Sequence, residues 1–337
     1  MRAALLVAHG GPECLEVHHE HPVPHPRAGE VLIRVAAAAV NNTDINTRVG
    51  WYSGGGWTGS FSFPRIQGID ACGTIVAVGA GVPPSRLGER VLVEPCWRDE
   101  GAHQSSARFF GSEVDGAFAD FTVVPGRHAH RVRSSLDDVE LASFPCSWST
   151  AENMLTRAGV QRGQRVLVTG ASGGVGGAAL QLAALRGADV AVVAASDKHE
   201  QLLTLDAQEA VDRDDDLLDA FGTDAFDVVI DVVGGSQWPQ LLQVLRPGGH
   251  YATAGAIAGP MVELDLRTLY LKDITMHGCT VLDDGVFAAL VRRIERGELR
   301  PQIAATYPLE RIVEAQEAFV AKRHVGKIVL DLRLPTP

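Results

Sequence analysis

Between Arg165 and Ala183 the chain reads RVLVTGASGGVGGAALQLA, an apolar strand that runs into a glycine-rich turn and then directly into a helix. Glycine lets the backbone approach a pyrophosphate closely, and the unpaired N–H groups of the helix start supply the donors. The G-x-G-x-x-G spacing falls on Ala171, Ser172, Gly173, Gly174, Val175 and Gly176, with alanine at its first place. A glycine motif alone could be only a tight turn. The flanking strand and helix are the context a dinucleotide site requires, so Ser172, Gly173, Gly174, Val175 and Gly176 are expected to cradle phosphates.

The end of the next strand, in DVAVVAASDKHE, decides which dinucleotide fits. An NAD site usually places a carboxylate there, against the ribose 2′-OH. This strand ends Ala194, Ala195, Ser196 instead, with Lys198 following and Arg213 available further on. Ser196, Lys198 and Arg213 would accept a 2′-phosphate, and the expected cofactor is NADP(H). Asp197 is a discordant neighbour unless it turns outward, and Lys198 has a plainer reading as a solvated lysine at a helix start.

The texture on either side of this unit divides the chain. The first third holds short strand patterns bounded by Gly or Pro (AALLVA, EVLIRVAAAAV, GTIVAVGAGV, RVLVEP, ADFTVV), which suggest a compact barrel-like domain. From Leu136 strands and helices alternate, with one helix expected over ELASFPCSWSTAENMLTRAG and strands at RVLVTG, DVAVVAAS, FDVVIDVV, GHYATAG and DITMHGCTV. That alternation indicates an α/β, doubly wound parallel sheet. The tail returns to helices and closes with the strand GKIVLDL. The expected division is 1–132 for the barrel-like part, 133–281 for the cofactor domain, and 282–337 for a return to the first domain.

Composition narrows the partners. A formal charge of −11 makes the phosphate-driven term of nucleic-acid binding repulsive. No apolar run approaches the roughly 18 residues needed to span a bilayer, and MRAALLVAHGGPECLEV alternates like a strand and has no signal-peptide blocks. A soluble, cytoplasmic protein is expected. Cysteines stand at 14, 72, 96, 146 and 279 with no C-x-x-C pair, so neither disulfides nor a local zinc knuckle is expected. The His-rich EVHHEHPVPHP reads as an exposed edge strand entering a loop, although it could take up stray metal.

Taken together, NNTDINTRVGWY, QGIDACGTIVAVG, GSEVDGAFADFTVVP, STAENMLTRAG, VTGASGGVGGAALQLA, IDVVGG, LRPGGHYATAG, LDLRTLYLKD and the terminal GKIVL resemble the medium-chain dehydrogenase/reductases over essentially the full length. The resemblance implies a GroES-like β-barrel catalytic domain joined to a Rossmann cofactor domain. Zinc alcohol dehydrogenases of that superfamily hold their catalytic metal through a Cys, a His and a distant Cys or Asp. The matching positions here are Asn41, Ile69 and Cys146, and an isoleucine cannot ligate. The structural-zinc lobe of those enzymes uses four cysteines; EPCWRDEGAHQSSARFFGSE keeps only Cys96, beside Glu94 and His103. Cys72 reads as a small buried residue.

These losses resemble the zinc-free quinone oxidoreductase and enoyl reductase branch, related to zeta-crystallin. That branch implies NADPH-dependent hydride delivery to quinones or α,β-unsaturated carbonyls. By the same resemblance Asn41 and Tyr52 border the nicotinamide and substrate, and Thr43 offers a hydroxyl, while Asp44 and Arg48 brace the loop. Tyr52 could equally be an ordinary aromatic of the cleft wall. Trp51, Trp57, Phe61 and Phe63 line an apolar pocket or pack the loop, and the long SGGGWTGSFSFPR stretch could be an acyl channel. Further cofactor contacts are expected from Thr150, Val233, Gly255 and the backbone of Cys279 and Thr280. The DITMHGCTV strand resembles the edge that pairs across a two-fold axis in this superfamily, which implies a homodimer. Other readings remain: a zinc enzyme with Asp70 and Cys146 as unusual ligands, an enoyl-thioester reductase, or an NADPH-binding protein without catalysis.

Overall fold

The computed structural model describes residues 1–54, 61–98 and 106–334 of the 337. They form two compact units, residues 1–146 with 287–337, and residues 147–286. Residues 133–146 fall in the first unit because their helix, Asp138–Ala142, packs on the strands Glu30–Ala39 and Cys72–Val78. The stretch expected as one helix is two, Asp138–Ala142 and Pro145–Arg157. Pro145 cannot donate a backbone hydrogen bond, and it turns the preceding Phe144 away from helical geometry.

The first unit is organised by the ten-residue strand Glu30–Ala39. One edge pairs antiparallel with Cys72–Val78. The other edge is shared: its first half pairs with Phe121–Pro125, its last residues with Lys327–Asp331. A seven-stranded sheet results, over a core that includes Val31, Ile33, Ile75, Phe118 and Leu330. A separate three-stranded sheet carries Leu15–His18 at its edge, where the His-rich stretch begins.

This topology positions the polar residues. Val329 pairs with Ala39, and Val40 N–H reaches Ile328 O at 2.9 Å, so continuing the register sets Lys327 opposite Asn41. Cys72 pairs with Ala37, which brings the preceding turn, Gln67 to Asp70, to the same end of the sheet. Gly68 has φ +103°, and a Cβ there would lie 2.6 Å from the Phe118 ring, so only glycine fits this turn.

The second unit is a six-stranded parallel sheet in the spatial order Glu209–Asp212, Asp189–Ala194, Arg165–Thr169, Phe226–Asp231, Leu245–Thr253, Thr275–Gly278. Its central strands are buried almost throughout, as strands covered on both faces must be. The order reverses beside Arg165–Thr169, which leads into the glycine turn. Ligands bind at such switch points, beyond the carboxyl ends of the strands.

Candidate active site

In the first unit a polar cluster is closed to solvent. Asn41, 6 % exposed, is the N-cap of the helix Asn42–Val49. Its amide donates to Ala39 O at 3.2 Å and to Asp70 Oδ2 at 2.8 Å. The Lys327 ammonium, on the terminal strand, donates to Asn41 Oδ1 at 2.5 Å and to Asp70 Oδ2 at 3.0 Å. Asp70 Oδ1 in turn accepts Cys146 N–H at 2.6 Å. A buried lysine is tolerated only with such partners, and here it has a carboxylate and an amide oxygen.

Asp44, expected as a brace, ties the helix to the neighbouring turn. One oxygen accepts Asn41 N–H at 2.8 Å; the other accepts the N–H groups of Gly68 and Ile69 at 3.2 and 3.3 Å. Gln67 donates its amide to Asp44 O at 2.8 Å. Burial pushes the Asp44 carboxyl up to about 7, against the backbone hydrogen bond from Asn41 that favours its charge. Arg48 braces too, donating to Gln316 Oε1 and Gly10 O, both at 2.9 Å.

Thr43 and Tyr52 meet on the outer side of that helix. Asn46 donates to Tyr52 OH at 3.4 Å, and Tyr52 OH donates to Thr43 Oγ1 at 3.3 Å. Loss of solvation raises the Tyr52 phenol above its ordinary value, so it keeps its proton at neutral pH. Of the aromatic residues expected beside them, Phe61 and Phe63 pack on each other and on His9, with ring centroids 4.8 to 5.4 Å apart. His9 is held by its Nδ1 donating to Thr47 O at 3.0 Å. Trp51 is 47 % exposed. Trp57 and the middle of the long stretch lie outside the described residues.

The donor set at Asn41, Ile69 and Cys146 does not fit a divalent cation. Ile69 is aliphatic, and Asn41 and Asp70 are already engaged with the Lys327 ammonium. Loss of solvation, with the negative charge of Asp70, raises the Cys146 thiol. At the second zinc position Cys96 is buried in a two-residue strand, while Glu94 accepts from His128 Nδ1 at 2.8 Å and His130 Nε2 at 3.1 Å. Although burial raises the Glu94 carboxyl, those two hydrogen bonds outweigh it and bring it to about 2. His103 lies outside the described residues; among the described ones no three His, Cys, Asp or Glu side chains converge as a metal set.

In the second unit Ser172, Gly173, Gly174, Val175 and Gly176 form one turn opening the helix Gly174–Leu185, whose N-cap Gly173 makes no side-chain cap. At Gly176 a Cβ would lie 2.4 Å from Gly170 O, so helix and strand meet here only through glycine. A pyrophosphate fits this cradle: its donors are backbone N–H groups, and a Cβ on Gly173 would come within 4 Å only of Gly170 O, at 3.4 Å. Val233 adjoins the turn, since a Cβ on Gly170 would meet its Cγ2 at 3.1 Å. Gly255 packs on Val232 O, and Cys279 N–H donates to Thr253 O at 2.9 Å. Those residues therefore form a row along the strand ends. Thr280 is exposed at its far end. No hydrogen bond among the described residues joins Thr150, half-buried on the helix Pro145–Arg157, to this row.

Ser196, Lys198 and Arg213 come together at the other end, where Arg213 N–H donates to Ala194 O at 3.2 Å. Asp212 joins them unexpectedly, accepting Ser196 N–H at 2.7 Å and Asp214 N–H at 3.0 Å. The Asp214 hydrogen bond lowers its carboxyl below the ordinary value. Its sequence signal is the acid that ends EAVD, one strand beyond Asp189–Ala194. Asp231 was also missed. It is fully buried and accepts Thr169 Oγ1 at 2.6 Å, Tyr251 OH at 2.5 Å and Val233 N–H at 2.9 Å, which fixes the loop after its strand. A cavity of about 290 Å³ lies beside Tyr251, Thr253, Gly255, Met276 and His277.

Known proteins resemble this chain in sequence and in fold. The alcohol dehydrogenase GroES-like domain family matches residues 27–134, and the zinc-binding dehydrogenase family matches residues 174–296. A quinone oxidoreductase of Lama guanicoe is 30 % identical, over 99 % of this chain and 98 % of its own. An acryloyl-coenzyme A reductase of Metallosphaera sedula is 31 % identical, over 98 % and 99 %. The solved structure of a putative alcohol dehydrogenase from Sinorhizobium meliloti 1021 is 44 % identical, superposes with a TM-score of 0.94, and covers 98 % of this chain and 96 % of its own. Full-length similarity of that order, on a GroES-like unit and a Rossmann-type sheet, places the chain in the medium-chain dehydrogenase/reductase superfamily of oxidoreductases, in its quinone oxidoreductase and enoyl reductase branch.

Proposed function

We propose that this oxidoreductase uses NADPH to reduce quinones or α,β-unsaturated carbonyls, and that no metal ion takes part. The observation that carries the reading is the buried Lys327–Asn41–Asp70 cluster. It gives the site a fixed ammonium where zinc relatives need ligands, and it commits the groups a cation would use. Without a Lewis acid, the developing charge must meet hydrogen-bond donors. Quinones and enones suit such a site because their charge spreads into a phenolate or an enolate.

NADPH bound at the glycine turn supplies the hydride. The residues around Thr43 supply the rest. Asn46 donates to Tyr52 and Tyr52 to Thr43, so the Thr43 hydroxyl proton is left to donate to the substrate oxygen. Tyr52 holds Thr43 in that orientation, while Asn41 serves as the link from Lys327 to the helix and not as a substrate contact. The cofactor choice rests on Lys198 and on Arg213, whose side chain is 68 % exposed. Asp212 favours the opposite choice, NADH, but its charge is engaged by two backbone N–H groups.

NADPH oxidation followed with a panel of benzoquinones, enones, enoyl thioesters and simple aldehydes tests this reading. Turnover with an unsaturated acceptor and not with aldehydes is expected; absence of turnover with every unsaturated acceptor contradicts it. The acryloyl-coenzyme A reductase relative makes short enoyl thioesters the second acceptor class to try.

A homodimer is also proposed, through the sheet edge Thr275–Gly278. That strand ends the six-stranded order, and beside it in sequence Met261, Leu266, Tyr270 and Leu271 are 89, 64, 61 and 70 % exposed. Apolar side chains this exposed next to an open strand edge suit a second copy. Sedimentation equilibrium should give twice the chain mass, and a monomer at micromolar concentration would contradict it.

A further inference from the structure

Beyond the end of the edge strand, the Gly278–Thr280 backbone is exposed at its first and last residues and continues the row of strand ends described above. Exposed backbone of this kind normally wavers. Here it is held from behind by two side chains of the helix Pro145–Arg157, four residues apart and so on one face. Arg157 Nη1 donates to Gly278 O at 2.6 Å, and Nη2 to Val281 O at 3.0 Å. Asn153 Nδ2 also donates to Val281 O, at 3.2 Å, and Asn153 Oδ1 accepts Asp283 N–H at 3.1 Å. The guanidinium is itself fixed by both oxygens of Asp283, with Nε 3.1 Å from Oδ2 and Nη2 2.6 Å from Oδ1.

The two carbonyls held by Arg157 bracket Cys279 and Thr280 on either side. Cys279 N–H is pinned to Thr253 O, so the Thr280 peptide is the segment presented outward. We propose that Arg157, with Asn153, is a positioning residue that sets the Cys279–Thr280 backbone for the nicotinamide end of the cofactor. This rests on the NADPH reading above. A planar fork bonded to two carbonyls and a carboxylate at once is work for arginine; lysine, a single point charge, can satisfy only part of it. The adenosine end, expected at Ser196, Lys198 and Arg213, makes no use of this clamp.

The two ends of the cofactor therefore give separate readouts. Binding of NADPH is followed by its fluorescence and that of 2′,5′-ADP, which carries the adenosine end alone, by calorimetry. Arg157→Met should weaken NADPH about tenfold, or about 1.4 kcal/mol, and leave 2′,5′-ADP within twofold. Arg157→Lys should fall between, and Asn153→Ala should change NADPH in the same direction by a smaller factor. Unchanged NADPH binding in Arg157→Met overturns the proposal, as does an equal loss for both ligands, which would mark general loosening of the unit. Wild-type protein that binds neither ligand overturns the cofactor reading itself, and the clamp's role with it.

Discussion

The ammonium of Lys327 lies 3.0 Å from Asp70 Oδ2, with 4 % and 0 % of the two side chains exposed. Removing one partner of such a pair leaves a buried charge uncompensated. Lys327→Met should therefore cost about 3–5 kcal/mol in urea unfolding. Lys327→Met with Asp70→Asn should recover a substantial part of that loss. Additive losses in the double variant would show that the two side chains do not act as a pair.

Asp44 gives the stability a pH dependence of definite sign. Its carboxyl is raised from 3.8 to about 7, so the folded chain holds the proton more tightly than the unfolded one. That contribution is complete below about pH 4 and is lost as pH rises through about 7, at up to about 1.4 kcal/mol per pH unit. Unfolding free energies measured from pH 4 to pH 8 should fall less steeply in Asp44→Asn than in the wild type. Equal slopes would place the carboxyl near its ordinary value.

The chain of donors at Asn46, Tyr52 and Thr43 predicts an order of kinetic effects. Thr43→Val, which keeps shape and loses the hydroxyl, should lower kcat for enones about a hundredfold, the usual loss of a donor to an oxyanion. Tyr52→Phe should lower it about tenfold, by freeing the Thr43 hydroxyl to turn. Quinones should suffer less in both variants. A greater loss in Tyr52→Phe than in Thr43→Val would make the tyrosine the direct donor.

Cofactor choice is testable at three residues. Lys198→Met with Arg213→Met should raise KM for NADPH about tenfold or more and leave NADH nearly unchanged, since each cation–phosphate contact contributes a charge-assisted hydrogen bond. Asp212→Asn should lower KM for NADPH. A wild-type kcat/KM greater for NADH than for NADPH would show that Asp212 outweighs the two cations.

The features local in sequence were legible before the fold was known. The strand, glycine turn and helix at 165–183 are contiguous, so their spacing alone declared this strand–turn–helix unit. Ile69 showed by its identity that one position of the zinc-ligand pattern holds a side chain that cannot ligate. Lys327 did not show itself, because its partner Asp70 is 257 residues away and they meet only through the register of Lys327–Asp331 on Ala37–Ala39. Asp212 was hidden for a related reason: parallel pairing, which the sequence does not spell out, sets it beside Ala194 from the neighbouring strand. The split at Phe144 and Pro145 was readable from the proline and was overridden by the helical texture on both sides.

The most direct test of the central claim is NADPH oxidation with an unsaturated acceptor, before and after exhaustive dialysis against a strong chelator. Reduction by NADPH with Thr43 as the hydrogen-bond donor and no metal ion predicts an undiminished rate and substoichiometric metal in the dialysed protein. A rate that collapses on dialysis and returns on adding zinc would contradict it.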